Sequence, residues 1–351
     1  MKNITTYGID LAKRSIQVTE VSASNIVKRN QAVSPDRLRK ILATCRPAKF
    51  VFEACGSAHY WARIATGYDH EAVILPSQFV AGSRQGQKTD ANDGLACAVA
   101  SKHPHAKPVM MKSAELQGLQ SVERVLQGLT KQSTALNNLL IGLLFEFGIK
   151  LAKRSGELLR RLPDILEDAE NGIPDFLRDT LALSADHYRE IRRCLAQVKA
   201  QHDRLVKQQL ECKRLLALEG VGPMNALGLY LAIGDGRAFK HGREASACIG
   251  VTPKQHSTGG KVKIGTVGKK RGNQRLRYTL FQGAMSVLRQ LKNRPPRTVK
   301  EKWFLDLIER RGERCAAMAY ANKTVRTAWS MLRHKTSYEP ILLAPMLIAA
   351  H

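Results

Sequence analysis

The stretch Ile4–Val33, which reads ITTYGIDLAKRSIQVTEVSASNIVKRNQAV, decides the fold of the first part of the chain. Three runs within it, Ile4–Ile9, Ser15–Val21 and Asn25–Val33, are rich in β-branched residues or alternate apolar and polar positions. Polar residues that favour turns separate the runs. The stretch therefore predicts three strands that form a meander.

Strands alternate with helices after this meander. The sequence predicts a helix ending near Thr44, a strand over Lys49–Glu53, a helix over Ala58–Thr66, a strand over Glu71–Leu75 and a helix over Thr89–Ser101. The order βββαβαβα is typical of a mixed sheet with an antiparallel meander on one side and helices over its faces. We therefore expect an α/β domain at the start of the chain.

Four carboxylates fall at the ends of these elements: Asp10, Glu53, Asp90 and Asp93. The first two end neighbouring strands, and the other two are three residues apart, so they share one helix face. Oxygen ligands without histidine suit Mg²⁺ or Mn²⁺, and two such ions could clamp a scissile phosphate. Taken singly, each carboxylate would be an ordinary turn or helix-start residue. Together they predict a metal site.

The composition indicates the kind of partner. The chain has 351 residues, a formal net charge of +26 and a pI of about 10.1, so polyanions such as nucleic acid should attract it. It has no apolar run of about 18 residues and no signal-peptide core at its start, which predicts a soluble cytoplasmic protein. Its seven cysteines form no C-x-x-C pair, which argues against structural zinc and a disulfide framework.

A second candidate site lies in the segment Lys254–Lys261, KQHSTGGK. Ser257 stands beside His256 in a glycine-rich, cationic segment, where a hydroxyl can act as a nucleophile toward a phosphate. The alternative is a plain β-hairpin loop, and spacing alone favours that alternative. The surrounding cations predict a nucleic-acid-binding surface, which comprises Lys254, His256, Lys261, Lys263, Lys269, Lys270, Arg271, Arg275 and Arg277.

The middle and end of the chain read as helical. Apolar residues recur every three or four positions over Ser113–Glu146 and Ala185–Glu219, which predicts two long helices that pack as a coiled coil, either within the chain or between subunits. Leu215–Ala226 fits a helix-hairpin-helix element that could hold a backbone phosphate, and equally a simple turn between helices. Further helices are predicted near the end, with aromatic residues interpreted chiefly as core: Trp303, Phe304, Tyr320 and Trp329.

Several motifs together resemble a known family. Tyr7–Lys13, Phe52–Gly56 and Lys88–Asp93 resemble the RuvC-like, RNase H-fold domain of DEDD transposases. Gly250–Lys261 is similar to the serine-bearing second domain of the same enzymes. The resemblance covers nearly the whole chain and points to recombinases of insertion elements that encode a structured guide RNA, or bridge RNA.

The resemblance implies a specific chemistry. In that family a serine attacks the DNA phosphodiester and becomes covalently linked to it, while an acidic tetrad from a different subunit binds Mg²⁺ nearby. Carried over, the nucleophile is Ser257 and the tetrad is Asp10, Glu53, Asp90 and Asp93. Many relatives have two serines before the glycines, whereas the second position here is Thr258. The implied partners are DNA, the guide RNA and further copies of the chain, from dimer to tetramer, in a prokaryotic cytoplasm at the nucleoid.

The expected organisation has three parts: a RuvC-like DEDD catalytic domain over 1–108, a helical coiled-coil connector over 109–212 and a mostly α serine-bearing domain over 213–351. The expected activity is excision and integration of an insertion element. Two alternatives remain open. A RuvC-like, structure-selective endonuclease would use the carboxylates alone, and a non-catalytic nucleic-acid-binding protein would need neither the carboxylates nor the serine.

Overall fold

A computed structural model describes residues 4–152, 156–268 and 272–343. The chain divides into two compact units. The first contains the described residues up to Gln117 together with Ile233–Lys240, and the second contains the remainder. In the described part of the chain, no helix is long and apolar enough to cross a membrane.

The first unit is the α/β domain that the sequence predicts. Its elements are β1 (Thr6–Leu11), β2 (Ile16–Val21), β3 (Val27–Val33), α1 (Pro35–Thr44), β4 (Lys49–Glu53), α2 (Ala58–Gly67), β5 (Glu71–Leu75), α3 (Ser77–Ser83) and α4 (Asp90–Ala100). The strand order is β3-β2-β1-β4-β5. The meander β1-β2-β3 is antiparallel, and β4 lies parallel to both β1 and β5. The predicted mixed sheet is thus confirmed.

Apolar clusters cover both faces of this sheet. One strand contributes to both clusters, because successive side chains of a strand point to opposite faces. In β4, Phe50 and Phe52 belong to the apolar cluster that includes residues of α1 and α2. Val51 belongs to the other cluster, with Val80 of α3 and Cys97 of α4. The alternation in one five-residue strand therefore builds two cores.

Helix α4 lies directly on β1 because small residues face each other there. A Cβ atom added at Gly8 would lie 2.0 Å from the carbonyl oxygen of Gly94, and one added at Gly94 would lie 2.7 Å from the hydroxyl of Thr19. No side chain larger than hydrogen fits at either glycine without movement. This close approach sets the short distance between α4 and β1.

The rest of the chain is mostly helical: α5 (Ala114–Glu146), α6 (Glu157–Glu167), α7 (Asp175–Gln208), α8 (Leu210–Leu215), α9 (Pro223–Ile233), α10 (Gly242–Ile249), α11 (Gln274–Leu291), α12 (Val299–Arg311) and α13 (Glu313–His334), with one hairpin of β6 (Pro253–Thr258) and β7 (Lys261–Val267). The two long helices are present. The second differs in its bounds, since α7 begins ten residues before Ala185 and ends where Gln209 turns extended.

In the second unit, the apolar residues near the end of α5 pack within the chain. Leu140 and Leu144 form a buried cluster with Leu158 and Leu162 of α6 and with residues of α7. Other apolar side chains on these helices remain exposed, among them Leu139, Phe145, Phe176 and Leu183. An intramolecular core and an uncovered apolar surface therefore coexist in this region.

Candidate active site

The parallel pairing of β1 and β4 places the first two carboxylates. Ile9 and Phe52 are partners in the register, so the residues that follow them, Asp10 and Glu53, lie at the same edge of the sheet. Asp90 and Asp93 lie in the first turn of α4, where the side chain of Thr89 accepts a hydrogen bond from a backbone N–H group and caps the helix. The topology therefore directs all four residues to one place.

All four carboxylates line a single cavity of about 560 Å³. The short helix α3 supplies another wall through Ser77, Gln78 and Ala81, and two cations, Arg84 and Lys88, complete it. The sequence reasoning missed α3 and both cations. A capping proline before Ser77 was the one local signal for α3, while an isolated cation in a loop carries no signal of its own.

The electrostatics of this cavity favour a cation. Burial, followed by the negative charges of Asp93 and Glu53, raises the pKa of Asp10. Arg84 supplies positive charge at one side, because its Nη1 lies 2.8 Å from Oδ1 of Asp93. Clustered carboxylates repel one another, and a bound cation relieves that repulsion.

The donor set fits a hard divalent ion, since it consists of carboxylate oxygens without histidine or thiolate. Among the described residues, Asp93 of these four carboxylates forms an ion pair, with Arg84, whereas Asp10, Glu53 and Asp90 form none. Within the described residues, no three His, Cys, Asp or Glu side chains are gathered at coordinating distance from one point. The cavity thus gathers the four carboxylates without closing three of them around one point.

The serine lies in the second unit, on an exposed hairpin. Gly259 and Gly260 have φ values of 55° and 77°, the left-handed conformations that a two-residue turn between twisted strands requires. Ser257 is exposed and accepts a hydrogen bond of 3.1 Å from Nε2 of Gln255. The hairpin of the alternative interpretation is therefore present, and it carries an accessible hydroxyl.

The register gives the hairpin two different faces, because residues paired across an antiparallel ladder share a face. Ser257 pairs with Val262, and Gln255 pairs with Ile264. The other face carries two further pairs, His256 with Lys263 and Thr258 with Lys261. Ser257 thus shares its face with two exposed apolar side chains, whereas Thr258 shares its face with cations.

The predicted nucleic-acid-binding residues are in different situations. Lys254, His256, Lys261 and Lys263 are exposed on the hairpin, while Lys269, Lys270 and Arg271 lie outside the described residues. Arg275 is half-buried, and its Nη2 lies 3.4 Å from Oε1 of Glu123. Arg277 donates a hydrogen bond of 3.2 Å to the carbonyl of Gly250. The two arginines therefore make contacts inside the protein, and the hairpin cations face solvent.

The turn between α8 and α9 is packed against α11. Gly220 has a φ of 76°, and a Cβ atom added there would lie 2.7 Å from the carbonyl oxygen of Gly283. Asn225 donates hydrogen bonds to the carbonyls of Gly220 and Thr279 and so ties the turn to the same helix. Only Gly222, in this turn, has open space around it. These contacts give Gly220 and Gly283 a packing role, whereas Gly222 has none.

Comparison with known proteins is consistent across the chain. Residues 7–149 match the DEDD transposase family model, and residues 212–299 match the model described as "Transposase IS116/IS110/IS902 family". The chain is 34% identical to a Pseudomonas aeruginosa protein named "Probable family 20 transposase", covering 96% of this chain and 99% of that one.

Two relatives are named after insertion elements. The chain is 31% identical to the "Transposase for insertion sequence element IS1111A" of Coxiella burnetii, over 96% of this chain and 92% of that one. It is 28% identical to the "Transposase for insertion sequence element IS1328" of Yersinia enterocolitica, over 96% and 99%. With its RNase H-like sheet, its carboxylate cavity and these matches, the chain belongs to the IS110/IS116/IS902 family of DEDD transposases, which are enzymes that act on DNA.

Proposed function

We propose that this protein is a site-specific recombinase that excises and integrates an insertion element, guided by an RNA that the element encodes. Ser257 is the nucleophile, and a divalent ion at Asp10, Glu53, Asp90 and Asp93 assists it. The observation that carries the proposal is the cavity that all four carboxylates line, together with an exposed hydroxyl on a cationic hairpin. The names of the relatives support a partner role for the ends of an insertion element.

The chemistry requires a transfer at phosphorus. The Oγ atom of Ser257 forms a bond to the scissile phosphorus, the bond from phosphorus to one sugar oxygen breaks, and that oxygen leaves with a proton. The product is a phosphoserine ester. The hydroxyl of a second strand can later attack its phosphorus, which joins the phosphate to that strand and releases the Ser257 hydroxyl. Bound Mg²⁺ or Mn²⁺ would supply charge stabilisation for the phosphorane-like transition state and lower the pKa of the attacking hydroxyl.

The residues of the chain have distinct roles in this proposal. Asp10 and Glu53 anchor the ion from the sheet, and Asp90 and Asp93 anchor it from α4. Lys261 and Lys263 bind phosphates on the hairpin face opposite Ser257. The three-part organisation at 1–108, 109–212 and 213–351 is part of the same proposal, with the helical connector as the oligomerisation region.

The assay is denaturing-gel detection of a covalent protein–DNA adduct, with purified full-length protein, Mg²⁺, co-expressed RNA and a DNA that carries the element junction. We expect an adduct with the wild type and none after Ser257→Ala, Asp10→Asn or chelation of the metal. Thr258→Val is the matched control, since it removes the neighbouring hydroxyl while keeping the side-chain shape. Loss of the adduct in Thr258→Val with its retention in Ser257→Ala would assign the nucleophile to Thr258.

Guide RNA and subunit number are tested with the same material. Omission of the RNA should abolish the adduct on junction DNA while leaving the protein folded. Exposed Leu139 and Phe145 in the helical region favour association, so mass photometry should find a dimer or a tetramer. An adduct of equal yield without RNA would contradict the guidance, and a monomer throughout the reaction would contradict the oligomer.

A structure-selective endonuclease is the second candidate. The observation that favours it is that all four carboxylates belong to the first unit, while the serine belongs to the second. Cleavage of branched DNA that depends on Mg²⁺ and Asp10 but persists in Ser257→Ala, without an adduct, would establish this alternative.

A further inference from the structure

A large groove opens in the second unit. Its volume is about 1520 Å³, and α10, α11, α12, α13 and the base of the serine hairpin line it. Sites for small molecules occupy about 300–1,000 Å³. The size therefore suits a segment of a polymer better than a single small ligand.

The walls of the groove are cationic. Arg243, Arg314, Lys323 and Arg326 line it, and none of its described lining residues is Asp or Glu. Uncompensated cations along one groove attract a polyanion and bind its phosphates.

Aromatic side chains lie among these cations. Trp303 on α12, Phe281 on α11 and Trp329 on α13 line the groove, and each is half-buried. Lys323 places its Nζ 4.3 Å from the centroid of the Trp303 ring. A half-buried ring is held in place by the core beneath it, here the cluster that contains Phe304 and Tyr320. The exposed part of the ring can then contact a ligand.

We propose that this groove binds an unpaired stretch of nucleic acid, with bases stacked on Trp303 and Phe281 and phosphates held by the surrounding cations. Aromatic rings interleaved with cations are the recognition chemistry of single strands, because an unpaired base offers its face. A duplex keeps those faces covered and would present only phosphates. This inference goes beyond the proposed serine chemistry and does not depend on it.

The groove reaches the base of the serine hairpin. Pro253, Thr266 and Val267 at the base of the hairpin form part of its wall. Ser257 lies four residues further along β6, about 13 Å at the rise of an extended strand. Nucleotides held in the groove are therefore within a short reach of the Ser257 hydroxyl. Two nucleic acids offer such an unpaired stretch with the same bases and phosphates: a DNA strand opened near the cleavage point, and a loop of the RNA.

The test is fluorescence anisotropy with labelled oligonucleotides and the full-length Asp10→Asn, Ser257→Ala protein, which removes cleavage and adducts. The probes are a single-stranded DNA, the same sequence as RNA and the corresponding DNA duplex. We expect Trp303→Leu to weaken single-strand binding by about tenfold or more and to leave duplex binding within about twofold. Lys323→Gln should weaken single-strand binding as well.

Two controls make the result specific. Trp303→Phe keeps a ring and should restore most of the affinity. Lys302→Gln removes an exposed cation next to Trp303 that does not line the groove, and it should change single-strand binding little. Thermal melting of each variant checks the fold, and Lys323→Gln carries the test if Trp303→Leu melts early.

The outcomes separate the possibilities. A selective loss for DNA or for RNA identifies the source of the strand and supports the groove. Unchanged binding in both Trp303→Leu and Lys323→Gln, or an equal loss for single strand and duplex, would overturn the proposal. All these variants also carry Asp10→Asn and Ser257→Ala, so the anisotropy assay measures binding alone. A negative result for the groove therefore does not bear on the adduct experiment, and a missing adduct does not bear on the groove.

Discussion

Replacing Gly8 by alanine should separate α4 from the sheet. The new Cβ atom would lie 2.0 Å from the carbonyl oxygen of Gly94 and 2.8 Å from the backbone nitrogen of Ala98. To reach a 3.0 Å contact, the helix must retreat by about 1 Å. Both obstacles are backbone atoms of α4, which cannot rotate aside as a side chain can.

The cost of this overpacking should lie at the upper end of the usual range, about 3 kcal/mol. A loss of that size corresponds to a fall in the melting temperature of roughly 10 °C for a unit of this size. Hydrogen exchange measured by mass spectrometry on the full-length protein gives the local result. We expect faster exchange in the peptides that cover β1 and α4, and unchanged exchange in α11–α13.

Gly82→Ala is the matched control. Gly82 lies inside α3 in the same unit, with nothing within 4 Å of an added Cβ atom. Alanine there should stabilise the helix by about 0.5–1 kcal/mol. Because α4 carries two of the proposed metal ligands, Asp90 and Asp93, Gly8→Ala should also weaken Mn²⁺ binding. Exchange and melting in Gly8→Ala that match the wild type would refute the close packing of α4 on β1.

Three further predictions concern the second unit. Gly283→Ala places a Cβ atom 2.1 Å from a backbone carbonyl oxygen and should destabilise this unit by about 3 kcal/mol in thermal melts, whereas Gly222→Ala meets nothing within 4 Å and should be close to neutral. Hydrogen bonds from a guanidinium and the backbone lower the pKa of Glu301, which is 3% exposed, so Glu301→Gln should cost about 1–3 kcal/mol at neutral pH. Because the pKa of Glu301 is lower in the folded state, the stability advantage of the wild type is full above the unfolded pKa of about 4.3 and is lost as the pH falls through the folded pKa; a pH-independent difference in denaturant melts would contradict this assignment. Changing Lys261 and Lys263 together to Gln should lower the salt-dependence slope of DNA binding by about 2, and an unchanged slope would show that neither side chain contacts phosphate.

The sequence predicted the elements that have a repeating pattern or a local cap. In the first unit β2 alternates and the middle of β4 is apolar, and Thr89 caps α4 through its own side chain, so these signals are local. Helix α3 escaped prediction because it is seven residues long and buries only Val80. The start of α7 at Asp175 also escaped, because it follows a proline and two of its first apolar residues, Phe176 and Leu183, are exposed and lie outside the buried stripe.

The candidate site shows the same division. The meeting of Asp10 and Glu53 was predictable, since neighbouring parallel strands end at the same edge of a sheet and both residues end their strands. Arg84 was not predictable, because its contact with Asp93 exists only once α3 and α4 are folded. The contact of Arg275 with Glu123 was not predictable either, because the two residues are far apart in the sequence. Contacts between residues that are far apart in the sequence cannot be recognised from a short stretch of sequence.

The aromatic residues near the end of the chain divide in a similar way. Phe304 and Tyr320 are buried, as the core interpretation predicted, whereas Trp303 and Trp329 are half-buried on the wall of the groove. The sequence spacing placed all four on helices. It could not tell a ring inside the core from one at its edge, because that difference depends on which helix lies opposite.

Because the hairpin has two different faces, the number of residues in its strands decides, as much as their identity, on which face the Ser257 hydroxyl lies. Deleting or inserting one residue between Pro253 and Ser257 reverses every side chain beyond that point, because strand side chains alternate with a period of two. The hydroxyl would then turn to the side that now carries Lys261 and Lys263, while the ladder and the glycine turn could still form. The ladder already has one irregularity between Pro253 and Gln255, so a bulge can absorb such a change; where none does, the residue count between these two positions sets the face on which the hydroxyl lies.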